Sequence, residues 1–241
     1  MVGLGLLLTL RLGFWQLDRM KQQDDTNTHL KEVADMPVLN LAEDLTGIDL
    51  PGMEFRSVVA SGDMDYSRQV AIRNQVWVQT WGNEMGFNLL TPLILENGEA
   101  ILVERGWIPM NYDTPAVWQL FNGPKHVEVH GIIRKPAQKG ELGGGVPDPT
   151  LQPGQAGLYY WNYVNIQRIQ EQLPYPLLPV YIQEAPGSGQ LTLPYASLTG
   201  LELSDNTHLG YAIQWFLYAA LLLFGYPYYI RKNKDRGASG N

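Results

Sequence analysis

The sequence predicts a membrane protein in which two terminal transmembrane helices flank a β-rich extracytoplasmic domain. Three observations support this fold class. Both ends of the chain are strongly apolar, the C-terminal apolar run is followed at once by basic residues, and the middle contains short runs rich in Val, Ile and aromatic residues between Gly and Pro. Strand-like runs about ten residues apart favour an antiparallel barrel or sandwich of the α+β class over βαβ units, which need helices between their strands.

The first element is a short transmembrane helix predicted over residues 1–18. Leu and Gly dominate this segment and Arg11 interrupts it, so about 17 residues are available where a membrane-spanning helix needs about 20. A signal peptide would carry a basic n-region and a small-residue cleavage site, and the segment shows neither. An uncleaved anchor is therefore favoured, with Arg11 either snorkelling to the interface or facing the second helix.

The domain between the helices is predicted over residues 19–205 and is expected to be rich in strands. The predicted strands are residues 55–60, 69–73, 76–81, 100–105, 127–133 and 158–164. Asn97-Gly98 predicts a two-residue hairpin with a type I′ turn, which requires positive φ at both positions. One helix is predicted over 165–172 with Asn165 as its N-cap, and the Gly- and Pro-rich segment 140–157 is predicted to be a long loop.

The second transmembrane helix is predicted over residues 206–230. Residues 211–230 form a run of 20 residues without a formal charge, and such a helix spans about 30 Å, the thickness of the hydrocarbon core of a bilayer. Tyr and Trp residues near both ends of the run suit the two interfaces, whereas a buried helix of a soluble protein is rarely apolar all round. Residues 231–241 form a basic tail, so the positive-inside rule predicts cytoplasmic termini and a main domain outside the cytoplasm.

Composition argues against several classes of function. The chain has no Cys, so neither a disulfide framework nor thiolate chemistry is available to it. Its net charge of −7 argues against nucleic-acid binding, which requires a basic face. The sequence contains no nucleophile elbow and no glycine-rich phosphate loop, and no pair of carboxylates stands out. It therefore predicts a protein that is not an enzyme.

The first candidate site consists of His126, Glu128 and His130. Strand alternation places the three side chains on one face of a strand, and all three residues are of metal-ligating types. The functional interpretation is a metal site in a membrane-anchored metal-binding or enzymatic periplasmic domain. The alternative interpretation is a solvated strand face opposite buried Val127 and Val129.

The second candidate is His208, which stands at the predicted outer end of the C-terminal span. Helical spacing places His208, Tyr211 and Trp215 on one face, and an ionisable group at this depth is a functional-site hypothesis by default. A neutral imidazole can ligate haem iron, and Trp215 can stack on a porphyrin. The alternative is an interfacial histidine that is simply hydrogen-bonded near the lipid headgroups.

The third candidate is the pair Arg105 and Trp107, at the predicted end of a strand. Alternation makes the two residues neighbours on one face of that strand. Cation–π packing is the structural interpretation of the pair, and a patch that docks a partner protein is the functional one.

Four segments in order along nearly the whole chain carry a resemblance to a known family. They are GFWQLDR at 13–19, TPL at 91–93 followed by LVERGWIP at 102–109, GIIRKP at 131–136 and NTHLGYAIQW at 206–215. Together, and between two terminal spans, they resemble the surfeit locus protein 1 family of cytochrome c oxidase assembly factors. Residues 74–87 fit the family pattern only loosely, and the first span is shorter than is usual in the family.

The resemblance implies an assembly factor for haem-copper cytochrome c oxidase that helps to insert or stabilise haem a in subunit I by binding it, without catalytic turnover. It implies that His208, and with it Trp215, match residues of bacterial members associated with haem a binding. It also implies that Arg105, Gly106 and Trp107 match a strand-end motif, which we interpret as support for a partner surface. The expected partners are oxidase subunit I, other oxidase assembly factors and the lipid bilayer. The sequence shows no transit peptide, so the expected location is a bacterial inner membrane, with a periplasmic main domain.

Overall fold

The chain forms two units that separate the terminal helices from the strand-rich middle. The computed structural model describes residues 2–43, 45, 47–79, 82–136, 148–151, 155, 157–187, 192–199 and 207–238. One unit comprises Met1–Glu32 and Glu202–Asn241, and the other comprises Val33–Leu201. The helices are α1 (Val2–Ala34), α2 (Ile166–Gln170), α3 (His208–Ala220) and α4 (Tyr226–Ala238), and a π-helical segment, Leu221–Gly225, joins α3 to α4. The strands are β1 (Leu39–Asn40), β2 (Ser57–Met64), β3 (Val70–Gln79), β4 (Gly82–Leu95), β5 (Ala100–Pro109), β6 (His126–Arg134), β7 (Tyr160–Trp161) and β8 (Leu177–Glu184).

In the helical unit, α1 and α3 pack against each other and run antiparallel. His208 Nδ1 lies 2.7 Å from Gln16 Oε1, and the rings of Phe14 and Phe216 meet edge to face with centroids 5.4 Å apart. A Cβ on Gly13 would lie 2.8 Å from the ring of Phe216. The missing side chain at Gly13 therefore permits the ring of Phe216 to lie against α1.

The first predicted span is helical, but the helix that contains it continues to Ala34. Within the described residues, one helix, His208–Asn233, is long and apolar enough to cross a membrane, with a mean hydropathy of 1.4. Arg11 is exposed in the apolar part of α1, and a charge at this point disfavours insertion. The membrane crossing by α1 therefore stays a prediction.

The eight strands form a single mixed sheet in the order β1-β2-β6-β8-β5-β4-β3-β7, and β2 also pairs with β4. The hairpins β3–β4 and β4–β5 are antiparallel as expected, but β1–β2, β3–β7 and β5–β8 are parallel. The expectation of a purely antiparallel arrangement is therefore wrong for three pairs. Parallel pairing of β5 and β8 is possible because the chain between them is long enough to return to the same end of the sheet. A barrel or sandwich architecture stays a prediction.

Every predicted strand overlaps an observed one, although the boundaries differ. The segments 69–73 and 76–81 merge into β3 across an irregularity that contains Asn74, whose φ is 59°. β1 and β8 are absent from the predicted strands, and so is β4 apart from the arm that the hairpin predicted at Asn97-Gly98 implies. Pro179 interrupts the strand pattern of β8, and the first four residues of β4 are exposed and mostly polar, so their sequences resemble loops.

The hairpin predicted at Asn97-Gly98 is confirmed, but its turn differs from the prediction. Of the two residues only Gly98 has a positive φ, 84°. The Gly98 N–H donates to the Leu95 carbonyl at 3.0 Å, and the Leu95 N–H donates to the Glu99 carbonyl at 2.8 Å. The loop is therefore one residue longer than a type I′ turn, with glycine in the left-handed region.

The predicted helix at 165–172 is confirmed in a shorter form as α2. Asn165 Oδ1 accepts a hydrogen bond from the Arg168 N–H at 3.3 Å, as an N-cap should. Buried Ile166 and Ile169 of α2 anchor it in a core cluster of the strand-rich unit. Most of the predicted loop 140–157 lies outside the described residues.

β5 lies between β4 and β8 in the sheet, and its first four residues, 100–103, are at most 1% exposed. The apolar sequence of these residues explains their burial. β8 pairs with β5 only as far as Glu104, whereas β4 pairs with it as far as Pro109. The end of β5 that carries the third candidate site is therefore held in the sheet by β4.

Candidate functional site

His208 is the first residue of α3 and is partly buried against α1. Its Nδ1 lies 2.7 Å from Gln16 Oε1. An amide oxygen has no proton to give, so Nδ1 carries the proton and donates it. In the neutral ring Nε2 is then the acceptor, and His208 makes no other hydrogen bond to the described residues. Metal-ligating histidines show this arrangement, in which one ring nitrogen donates to an oxygen and the other is free for the metal.

Tyr211 and Trp215 follow His208 along α3, about one and two turns further on. Tyr211 is 52% exposed, and Trp215 is partly exposed with its ring edge to face with Tyr218 at 5.9 Å. Ala212, on the neighbouring side of the helix, is fully buried. The three predicted residues thus follow one another along α3, with Tyr211 exposed and His208 and Trp215 partly buried.

Arg105 occupies a β-bulge, where β5 changes register against β4. Leu89 pairs with Gly106 but Leu90 pairs with Glu104, so Arg105 is the extra residue. A bulge breaks the strict alternation of side chains along a strand. The prediction that Arg105 and Trp107 share a face depended on that alternation. Because of the bulge, the side chain of Arg105 has different neighbours from that of Trp107.

The guanidinium of Arg105 lies over the ring of Tyr66, 5.1 Å from its centroid. It donates to Gln69 Oε1 at 3.2 Å and to the Phe121 carbonyl. Burial lowers the pKa of the Arg105 guanidinium, while Tyr66 and a nearby glutamate oppose that shift. The cation–π partner of Arg105 in this structure is thus Tyr66, and the sequence-based pairing with Trp107 is wrong, because alternation does not hold across a bulge.

Gly106 is held in a conformation that favours glycine. Its φ is 132°, and a Cβ at this position would collide with the backbone of Tyr195. Trp107 and Tyr195 exchange two backbone hydrogen bonds of 2.8 and 3.0 Å. The glycine therefore permits a second chain segment to pair against the end of β5.

Trp107 is the buried member of an aromatic cluster that consists of Trp77, Trp107 and Tyr195. The ring centroids are 5.9 Å apart for the two tryptophans and 6.0 Å apart for Trp107 and Tyr195. Trp107 is 2% exposed, whereas Trp77 and Tyr195 are partly exposed. Trp107 therefore supports two aromatic rings that reach the surface and is itself covered.

A cavity of about 570 Å³ adjoins the aromatic cluster. Its lining includes Arg105, Glu184, Thr192 and Tyr195. Burial raises the pKa of the Glu184 carboxyl, and Arg105 opposes this shift. The cavity thus presents a cation, an anion and an aromatic ring within a single opening.

Glu104 is a buried carboxyl group that the sequence analysis did not single out. It is 8% exposed and accepts hydrogen bonds from Asn88 Nδ2 at 3.0 Å and from Gln183 Nε2 at 3.1 Å. Burial raises the pKa of Glu104, and these two donors and Arg134 act in the opposite direction. The sequence offered one sign of this buried acid, because Glu104 directly follows the apolar run 100–103 and so continues a buried strand.

His126, Glu128 and His130 lie on the exposed face of β6, as alternation predicts. His126 Nδ1 lies 2.9 Å from Asp63 Oδ1, while His130 Nε2 lies 2.8 Å from Glu128 Oε1. The side chains form two separate pairs, and the part of the chain that the structure describes contains no group of three acidic or His residues suited to a metal ion. The solvated-face interpretation therefore fits β6, and no observation favours the metal-binding alternative.

Comparison with known proteins gives one family. The sequence model of the SURF1 family matches residues 4–220. A SURF1-like protein of Caenorhabditis elegans is 27% identical over 238 residues, which cover 92% of this chain and 70% of that protein. A SURF1-like protein of Rickettsia conorii is 26% identical over 229 residues, covering 93% and 88%.

A yeast relative has a functional name. The cytochrome oxidase assembly protein SHY1 of Saccharomyces cerevisiae is 25% identical over 149 residues. The matched part covers 60% of this chain and 37% of the yeast protein. The family match thus spans nearly the whole chain, whereas the likeness to the yeast protein covers a part of each.

Proposed function

Because the chain belongs to the SURF1 family, we propose that it is an assembly factor for cytochrome oxidase. The family match over residues 4–220 carries this proposal, and the name of the yeast relative supports it. The role is assistance without turnover, and we propose that subunit I of the oxidase is the partner. One helix able to cross a membrane supports a location beside that integral membrane enzyme.

We propose further that the chain binds haem a through His208. His208 would hold the haem iron, because Nδ1 donates to Gln16 Oε1 and Nε2 keeps its lone pair. Haem a, when bound, would supply the iron that accepts this lone pair. The chain itself would contribute the oriented imidazole and the partly exposed rings of Trp215 and Tyr211, which offer apolar surface to the porphyrin.

The strand-end residues Arg105, Gly106 and Trp107 are proposed to support the surface that meets the oxidase or its other assembly factors. They act from below this surface, because Trp107 is buried and holds Trp77 and Tyr195 at the exterior. Aromatic rings of this kind are common at the centres of protein interfaces. The proposed surface therefore consists of the aromatic cluster and the cavity beside it.

The proposed topology places both termini in the cytoplasm and the strand-rich unit in the periplasm of a bacterium. The basic residues that follow the apolar helix support a cytoplasmic C-terminus. Reporter fusions at Leu120 and at the C-terminus test this topology. A periplasmic reporter should be active at Leu120 and inactive at the C-terminus, and the reverse pattern would exclude the topology.

One experiment separates the assembly role from haem binding. The full chain is produced in a host that makes haem a, purified in detergent and examined for a Soret band, together with His208→Ala and the control His130→Ala. His208→Ala should lose most of the absorbance, and the exposed His130 should be dispensable. Equal spectra for all three proteins would remove the ligand assignment.

The assembly role has its own test, which does not depend on that spectrum. Deletion of the gene in its natural host should lower cytochrome oxidase activity and the haem a content of the membranes, and the wild-type gene should restore both. Normal, fully assembled oxidase in the deletion strain would exclude the assembly role even if the purified protein binds haem.

A further inference from the structure

The contact between Gln16 and His208 joins the two terminal segments of the chain through a polar pair. Gln16 lies on α1 and His208 begins α3, and both side chains are partly buried. The two atoms, Gln16 Oε1 and His208 Nδ1, are 2.7 Å apart, which is a short and well-formed distance for this bond. The pair is separated by 192 residues in the sequence, so only the packing of α1 on α3 brings it together.

From this contact we propose that Gln16 is the positioning residue for His208: it fixes the Nδ1–H tautomer and turns Nε2 toward the ligand. This inference rests on the proposed haem role of His208. Gln16 itself does not touch the iron. It acts through the imidazole, as the oxygen partners of metal-ligating histidines do.

The chemistry of the two groups determines the direction of the effect. The amide oxygen of Gln16 accepts and cannot donate, so its partner nitrogen must carry the proton. A neutral imidazole has one proton, and Nε2 is therefore left with the lone pair that a metal requires. Without an acceptor at residue 16, the proton is free to occupy either nitrogen, and only one of the two tautomers leaves Nε2 able to bind iron.

The helix packing explains why Gln16 can hold this position. Gly13 lies almost one turn before Gln16, and its missing side chain lets the ring of Phe216 approach α1 closely. Phe14 completes the contact edge to face with the same ring. The ring of Phe216 therefore holds α3 against α1 within one turn of Gln16, and this packing supports the hydrogen bond to His208.

The first test measures the tautomer of His208 without haem. The full chain is labelled with 15N-histidine, produced in a host without haem a and studied by NMR in detergent, with His208 assigned by its loss in His208→Ala. The wild type should show Nδ1 protonated and Nε2 unprotonated. Gln16→Leu should give a mixture of tautomers, whereas Gln16→Glu should keep the wild-type form because a carboxylate is also an acceptor. Identical spectra for the wild type and Gln16→Leu would overturn the inference.

The second test measures haem binding by the same variants. Gln16→Leu should weaken the binding of haem a by about 10- to 100-fold and shift the Soret maximum, a typical effect of losing an outer partner of a metal ligand. Gln16→Glu should restore most of the affinity. The control Gln22→Leu makes the same change on α1 at an exposed glutamine that contacts Arg19, and it should bind as the wild type does.

The outcomes distinguish this inference from the proposed function. If His208→Ala abolishes the spectrum and Gln16→Leu leaves both affinity and spectrum unchanged, the haem proposal stands and the role of Gln16 is overturned. If His208→Ala leaves the spectrum unchanged, the proposed haem site is wrong, and the role of Gln16 toward haem is overturned with it. A loss of affinity in Gln16→Leu together with equal loss in Gln22→Leu would also overturn the inference, because it would indicate a general effect on α1.

Discussion

Gly106→Ala should destabilise the strand-rich unit strongly, although it adds one methyl group. Gly106 has a φ of 132°, and a Cβ would collide with the backbone of Tyr195. A non-glycine residue held in such a region costs about 1–3 kcal/mol. The collision also threatens the two hydrogen bonds between Trp107 and Tyr195, each worth about 0.5–1.5 kcal/mol. The expected loss in the free energy of unfolding is therefore about 2–6 kcal/mol.

Gly98→Ala provides a matched control for this prediction. Gly98 also has a positive φ, 84°, but a Cβ there would meet no atom within 4 Å. Its substitution should cost only the backbone term, about 1–2 kcal/mol. The difference between the two variants therefore reports the close approach of Tyr195 to the end of β5, separately from the general preference for glycine.

The assay is thermal unfolding of the purified full-length protein, followed by tryptophan fluorescence, to which Trp107 and Trp77 of the aromatic cluster contribute. For a unit of this size, each kcal/mol shifts Tm by about 2–4 °C, so Gly106→Ala should melt about 4–24 °C below the wild type. Gly98→Ala should melt only a few degrees below it. Equal Tm values for the two variants would refute the argument, because they would mean that the contact with Tyr195 contributes nothing.

Three further predictions concern Glu104, Gly13 and Arg105. Burial raises the folded-state pKa of Glu104, so the native state binds more protons than the unfolded chain between the two pKa values, and stability falls as pH rises through that window. Glu104→Gln should therefore gain stability relative to the wild type in urea unfolding as the pH rises above the ordinary pKa of a glutamate, and a difference independent of pH would contradict this. Gly13→Leu should separate α1 from α3 and reduce haem absorbance, whereas Gly3→Leu, at a position with no atom within 4 Å, should not; equal absorbance in the two variants would contradict the packing argument. Arg105→Met should cost about 1–3 kcal/mol in thermal unfolding, because it removes two hydrogen bonds of about 0.5–1.5 kcal/mol each, one to the Phe121 carbonyl and one to Gln69 Oε1, which keeps Thr91 Oγ1 as a donor. An unchanged Tm would argue against these contacts.

Local sequence signals predicted much of the fold, since they depend on neighbours in the chain. The apolar run and basic tail indicated the C-terminal helix, the Asn97-Gly98 pair indicated a hairpin, and Asn165 indicated a helix start. These local signals did not predict how strands that are distant in the sequence pair with each other. The parallel pairing of β5 with β8 depends on how the chain returns, which is not encoded in either strand alone.

The same difference between local and distant interactions applies to the candidate site. Helical spacing alone placed His208, Tyr211 and Trp215 on one side of α3. The partner of the imidazole could not be foreseen, because Gln16 lies 192 residues away and helical spacing relates only residues of the same helix. The bulge at Arg105 was equally hidden, since it arises from pairing between β4 and β5 and turns the arginine toward Tyr66.

The sequence by itself determined the terminal helices, the strand-rich middle and the set of residue types able to bind a metal or a macrocycle, because periodicity and composition act over a few turns or a few residues. The tertiary structure decided which of these residues meet. It separated His126 from His130 into different pairs, covered Trp107 with two other rings, and gave His208 the acceptor that orients it. The physical reason is that hydrogen bonds and ring contacts act over a few ångströms in space, and the folded packing of distant segments determines which groups come within that range.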